Sequence, residues 1–180
     1  MSDERNTLAN HATTQPCVTH RVLSPKLLLA MVVFDSLAID GTFKWLMSQQ
    51  PLGQSVVILP QYLSLQHLEN TGMAFSILQA NPLWASILSF TFLAILIVLV
   101  LQHRLTDRFE AVGFALMIGG GLNNALDRLF TGAVTDYIDM PFLTLPVFNL
   151  SDAFIFIGAL LIGYHYFFVH YKAVEESLRP

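Results

Sequence analysis

The stretch VTDYIDMPFLTLPVFNLSD, residues 134–152, sets three carboxylates, Asp136, Asp139 and Asp152, among residues that prefer to leave water. Two acids brought close together cannot both ionise comfortably, so they share a proton. The ionised member then draws a proton from water while the protonated member polarises a scissile carbonyl, as in aspartic proteases. This chemistry requires no metal and no nucleophilic side chain, and a low-dielectric setting strengthens the coupling. Taken singly, the acids also suit plainer duties. Asp136 could solvate a loop, and Asp152 could stand in the first turn of a helix, where negative charge is favoured.

Other chemistries have less to work with. The single cysteine, Cys17, lies in a polar N-terminal stretch, which argues against a thiol enzyme, a disulfide or a cysteine metal site. His165 and His170 stand near the end of an apolar run and suit packing or interfacial placement. No G-x-S-x-G, phosphate loop or H-E-x-x-H occurs. The net charge of -4 brings no basic stripe, so no nucleic-acid partner is expected.

The elements that must position these acids follow from composition. Of the 180 residues, 54% are hydrophobic and 12% charged, about half the charged fraction of an ordinary soluble domain. Mean hydropathy is +0.56. Four apolar segments, 26–47, 82–102, 109–130 and 147–169, reach the length of about 20 residues that a helix needs to span a bilayer. Residues 1–24 read as a disordered tail, 25–172 as one four-span membrane domain, and 173–180 as a C-terminal tail. Outside the spans, Lys and Arg fall in the N-terminal tail (Arg5, Arg21, with Lys26 at its edge), the 103–108 turn (Arg104, Arg108) and the C-terminal tail (Lys172, Arg179). Segments 48–81 and 131–146 have none. The positive-inside rule places both termini in the cytoplasm and those two segments outside. Within 48–81, SVVILPQYLSLQHLENTG is rich in β-branched and apolar residues, punctuated by Pro51 and Pro60, and predicts a small strand pair or sheet.

This topology gathers polar residues at the outer face: Asp40 and Lys44, Asn70 and Gly72, Asp127 and Arg128, Asp136 and Asp139, and Asn149 and Asp152. A charge at mid-span costs about 2.5–3.5 kcal/mol on insertion scales, so such residues tend to face a bundle interior or wet cavity and to be functional. Gly119, Gly120 and Gly121 predict close helix approach. A small proton-coupled transporter would use intramembrane acids too, but needs them on both sides of the midplane. A non-catalytic lipoprotein-binding membrane protein is the third alternative.

Five motifs in order resemble those of lipoprotein signal peptidase (signal peptidase II). DGTFK (40–44) is similar to the family's Asp-x-x-x-Lys, and NTGMAFS (70–76) to its Asn-x-Gly-x-Ala-Phe. GGGLNNALDR (119–128) resembles its Gly-Asn-x-x-Asp-Arg segment, VTDYID (134–139) its Val-Val-Asp-Phe-Ile, and FNLSDAFI (148–155) its Phe-Asn-x-Ala-Asp. The resemblance implies a four-helix transmembrane fold with a small extracytoplasmic β-cradle in a bacterial inner membrane. It implies an aspartic endopeptidase without a cofactor, and a monomer is expected. That enzyme would remove signal peptides from diacylglyceryl prolipoproteins, cutting before the lipidated cysteine, in contact with membrane lipid. It assigns Asp136 and Asp152 as the catalytic pair. It assigns Asn70, Gly72, Asn124, Arg128 and Asn149 to substrate, Asp40 and Lys44 to structural or substrate contacts, and Asp127 to support. Asn123, Thr135 and Ser151 depart from the family pattern, where glycine, valine and alanine are usual. The two hydroxyls among them are expected to bear on the acids' shared proton. Asp139 is expected to be a solvated interfacial acid, and Asp35 is an additional acid deeper in the first span.

Overall fold

A computed structural model describes residues 23–72, 82–105 and 107–177. The first 22 residues, the family-like stretch 73–76 and the final three residues therefore lie outside the described residues.

Helix α1 covers Pro25–Ser48. Ser24 caps it, accepting from the Leu27 amide, and Pro25 takes the first helical position, where its missing N–H costs nothing. Its buried residues are Ser36, Asp40, Lys44 and Met47, on one face at helical spacing, while Phe34 is 70% and Trp45 62% exposed. Polar groups turn inward and large apolar groups outward, the reverse of a water-soluble helix and the arrangement a lipid solvent favours. The same inversion holds through the chain: Asp40, Asn149 and Ser151 are 0% exposed, and Leu101 and Phe130 are nearly bare.

Helix α2 (Pro82–Gln102) is apolar all round. Helix α3 (Arg108–Phe130) begins at the Asp107 cap, which accepts from the Phe109 and Glu110 amides. It is the most buried helix and packs against the other three. Three successive glycines make this possible. Residues on a helix point about 100° apart, so Gly119 meets Ser36 of α1, Gly120 the Ser151 carbonyl of α4 (Leu150–Ser177) and Gly121 the Leu93 side chain of α2. A Cβ at Gly119 or Gly120 would overlap its neighbour. Two helices, Pro82–Gln102 and Leu150–Val169, are long and apolar enough to cross a membrane on composition. The other two carry the inward-facing charges.

The predicted sheet in 48–81 is present as β1 (Ser55–Leu59) and β2 (Leu63–Asn70), an antiparallel hairpin turning through Gln61 at φ +67°. A third strand was not foreseen. Residues Val134–Asp139 form β3, antiparallel to β2, with Asn70 opposite Val134 and Leu68 opposite Asp136. The β-branched and aromatic content of VTDYI is a strand signal. A single 3-10 turn, Pro141–Leu143, leads on to Phe148, which bridges back to Ile138. Helix α4 therefore starts at Leu150, after the anticipated 147, because Phe148 is drawn into the bridge with Ile138.

Candidate active site

The turn into α4 builds half of the site from local rules alone. In Asn149-Leu150-Ser151-Asp152, the Asn149 Oδ1 accepts from the Asp152 amide at 2.9 Å, and the Asp152 Oδ2 accepts from the Asn149 amide at 3.3 Å. This reciprocal pair is a capping box. It fixes Asp152 at the N-terminus of α4, where the helix dipole favours negative charge.

The other half comes from β3. Strand pairing sets Asp136 beside β2, and the Asn70 amide donates to its Oδ2 at 2.9 Å. The Asn149 side chain donates to Asp136 Oδ1 at 2.7 Å. One asparagine thus touches both acids. Asn124 of α3 donates to Asp152 Oδ1 at 2.8 Å and accepts from Asn149 Nδ2 at 3.2 Å. All four carboxylate oxygens of Asp136 and Asp152 accept an amide hydrogen bond.

Cations stand close but bind elsewhere. Lys44 donates to Asn124 Oδ1 at 2.7 Å and pairs with Asp127 at 2.8 Å and Asp40 at 3.2 Å. Arg128 donates to the carbonyls of Gly72 at 2.6 Å and Asn124 at 3.4 Å. Its Nε is buried without a partner among the described residues. Among those residues, no lysine or arginine forms an ion pair with Asp136 or Asp152. Asp136 is 1% exposed. Burial first, then the neighbouring Asp152, pushes its carboxyl up from 3.8 to about 7, against the opposing hydrogen bonds of Asn70 and Asn149 and the more distant Lys44. Burial and the neighbouring acid thus favour the protonated form of Asp136 up to near neutral pH.

The residues singled out in the sequence thus converge, but not all in the expected manner. Asp40 and Lys44, expected to serve as structural or substrate contacts, are 0% and 4% exposed with protein partners on their charged atoms. Asn149, at 0% exposed, engages both acids through its side-chain amide. Asn124 is 7% exposed and is similarly engaged. Gly72 offers its amide to Asn70 Oδ1 and its carbonyl to Arg128, tying the end of the hairpin to α3. Asp127 accepts from the Thr135 amide at 3.1 Å, one residue before Asp136. Asp139 accepts from Ser64 at 2.8 Å and is partly exposed, away from the pair. Asp35 is exposed on α1.

Two features escaped the sequence. The hydroxyl of Ser151 and the amide of Asn123 both reach Asp40 rather than the acid pair, as does the Tyr137 hydroxyl. At the opposite end of α3, buried Glu110 accepts from Tyr166 at 2.8 Å and lies 2.8 Å from His103, joining α3 and α4 to the turn that follows α2. Nothing in the local sequence around Glu110 distinguishes it from a solvated first-turn acid.

Residues 31–168 match the family described as signal peptidase (SPase) II. A lipoprotein signal peptidase of Nostoc sp. strain PCC 7120 is 32% identical over 133 residues, covering 73% of this chain and 84% of that protein. The lipoprotein signal peptidase of Streptococcus pneumoniae R6 is 28% identical over 141 residues, covering 78% and 92%. Among solved structures, a bacterial membrane enzyme determined in meso at 2.3 Å aligns with a TM-score of 0.69 at 26% identity, covering 74% of this chain and 84% of that one. Another at 1.9 Å gives 0.68 at 26%, covering 76% and 90%.

Proposed function

The chain belongs to the signal peptidase II family, and from that premise we propose that it is an intramembrane aspartic endopeptidase acting on diacylglyceryl prolipoproteins. Asp136 and Asp152 are its catalytic pair. The observation that carries this reading is Asn149, whose side chain donates to Asp136 and whose backbone and side chain engage Asp152 in the same cap. A carboxylate pair held by amides, with no cation on either member among the described residues, favours one shared proton over two charges.

In the proposed reaction Asp136 carries the shared proton and passes it to the scissile carbonyl oxygen as that oxygen gains charge. Asp152 takes a proton from a water as its oxygen attacks the carbonyl carbon. The tetrahedral intermediate collapses when the leaving nitrogen of the lipidated cysteine takes up the proton from Asp152. The carboxyl proton returns to the pair as the carbonyl re-forms. Arg128 and the Asn70–Gly72 turn stand beside the pair and orient the substrate backbone.

The proposed topology has four spans, both termini in the cytoplasm and the site at the extracytoplasmic face. Support comes from the distribution of Lys and Arg. The sheet and the acids also follow the C-terminal ends of α1 and α3 or precede the N-terminal end of α4, which places them at one end of an alternating bundle. At 24 and 23 residues, α1 and α3 are each long enough for a hydrocarbon core of about 30 Å. The protein works as a monomer surrounded by membrane lipid.

The test uses purified full-length protein in lipid with a prolipoprotein, with and without its diacylglyceryl group, read by mass spectrometry. The expected product of the lipidated substrate begins at the modified cysteine, and the unlipidated form remains largely intact. An uncut lipidated substrate would refute the proposal.

A further inference from the structure

Asp40 is the focus of a second polar network. It lies on α1, is 0% exposed, and belongs to an element that carries neither member of the pair. Its Oδ1 accepts from the Tyr137 hydroxyl at 2.7 Å. Its Oδ2 accepts from the Ser151 hydroxyl at 2.5 Å and the Asn123 amide at 2.7 Å, with Lys44 Nζ 3.2 Å away. All three neutral donors are themselves buried: Ser151 is 0%, Tyr137 1% and Asn123 7% exposed.

The sequence positions of these donors give the network its meaning. Tyr137 directly follows Asp136, Ser151 directly precedes Asp152, and Asn123 directly precedes Asn124, which holds Asp152. Neighbours in a strand point to opposite faces, and neighbours in a helix point about 100° apart. A single carboxylate can therefore grip the residue beside each member of the site without touching the site. It does so across β3, α4 and α3 at once. Tyr137 adds a fourth tie, since its hydroxyl also accepts from the Leu150 amide at 3.3 Å, an otherwise unpaired donor in the first turn of α4. Burial and the adjoining Asp40 push the Tyr137 phenol up, so it stays a donor throughout the working range.

We propose that Asn123, Tyr137 and Ser151 are positioning residues that act through Asp40, locking Asp136, Asp152 and Asn124 into one geometry from behind. The proposal rests on the peptidase reading above. Asn123 and Ser151 stand where the family pattern has glycine and alanine, so this clamp is built from the departures of this chain. The Ser151 hydroxyl thus bears on the carboxylate support, where the sequence suggested the catalytic proton.

The test compares full-length wild type, Tyr137→Phe, Ser151→Ala, Asn123→Ala, the Tyr137→Phe/Ser151→Ala double variant and Asp136→Asn on a diacylglyceryl prolipopeptide in lipid. Each assay is run well below that protein's own unfolding midpoint. Each single clamp variant is expected to lower kcat about tenfold with KM within about twofold, as loosened catalytic geometry does. The double variant is expected to lose less than the product of the two single losses, because both donors serve one carboxylate. Unchanged kcat, a loss carried by KM, multiplicative losses, or a loss that merely follows the unfolded fraction would overturn the clamp. In those cases cleavage by wild type with an inert Asp136→Asn keeps the peptidase reading intact. Wild type that leaves the peptide whole overturns both.

Discussion

Asp136 is an acid almost closed to solvent, with an amide on each oxygen and its carboxyl pushed up to about 7. In the unfolded chain the same group would titrate near 3.8. Between those values the folded protein holds a proton that the unfolded chain has released. Stability linked to Asp136 is therefore greatest at and below the lower value, declines as pH rises through this window, and changes no further above about 7. The thermal midpoint is expected to fall between about pH 4 and about pH 7, with a shallower slope in Asp136→Asn. The pair also loses its shared proton at the upper end, so kcat is expected to decline as pH rises through about 7. A flat alkaline limb in a pH–rate profile would remove Asp136 from the proton inventory. Lys44 answers to a different rule. It is buried between Asp40 and Asp127. Lys44→Met leaves two carboxylates without their cation and is expected to cost about 3–5 kcal/mol in reversible unfolding. Individual partners such as these were only partly legible in the sequence. Asp-x-x-x-Lys spacing marks an ion pair on one helix face, but nothing local says that Lys44 also reaches Asp127 and Asn124.

At the level of elements, the two acids are placed by different means. Asp152 is set by a four-residue capping box whose pattern, an amide residue followed three positions later by an acid, is visible in NLSD. Asp136 is set by pairing with a strand from a segment 66 residues away, of which the sequence shows only the hydrophobic alternation. Asn149→Ala removes both the cap and the shared amide. It is expected to destabilise by about 1–2 kcal/mol in chemical denaturation and to lower kcat sharply, whereas loss of the cap alone would leave kcat near wild type. The helix-packing signal was clear in Gly119-Gly120-Gly121, yet which neighbour each glycine faces depends on the bundle. Because a Cβ on Gly120 would run into the Ser151 carbonyl, Gly120→Val is expected to wedge α4 from α3 and displace Asp152. Activity should drop by about 100-fold or more, while Gly163→Ala, at an exposed glycine with open space around it, should cut normally.

For the whole molecule, the outward apolar surface and inward polar groups explain why the general architecture could be read in advance. Hydropathy needs only composition to locate apolar helices, and two of the helices satisfy that test unaided. The charges that weaken the signal in α1 and α3 are the ones the interior uses. The hairpin was legible from its β-branched run, but the third strand and the Glu110 junction depend on contacts between distant segments. The proposed orientation makes a separate prediction at this scale. In a Cys17→Ser background, Gln54→Cys is expected to react with an impermeant thiol reagent on intact spheroplasts, and Gln102→Cys only after permeabilisation. The reverse pattern would turn the molecule over and place the acids on the cytoplasmic side.

The most direct test of the central claim is cleavage of a purified diacylglyceryl prolipoprotein by wild type, Asp136→Asn and Asp152→Asn, with each protein first shown to be folded. Wild type is expected to release the signal peptide, and both variants to fall by about 10⁴-fold or more, since neither can share the proton. A folded variant that retains near-wild-type turnover would contradict the pair and remove that residue from the reaction.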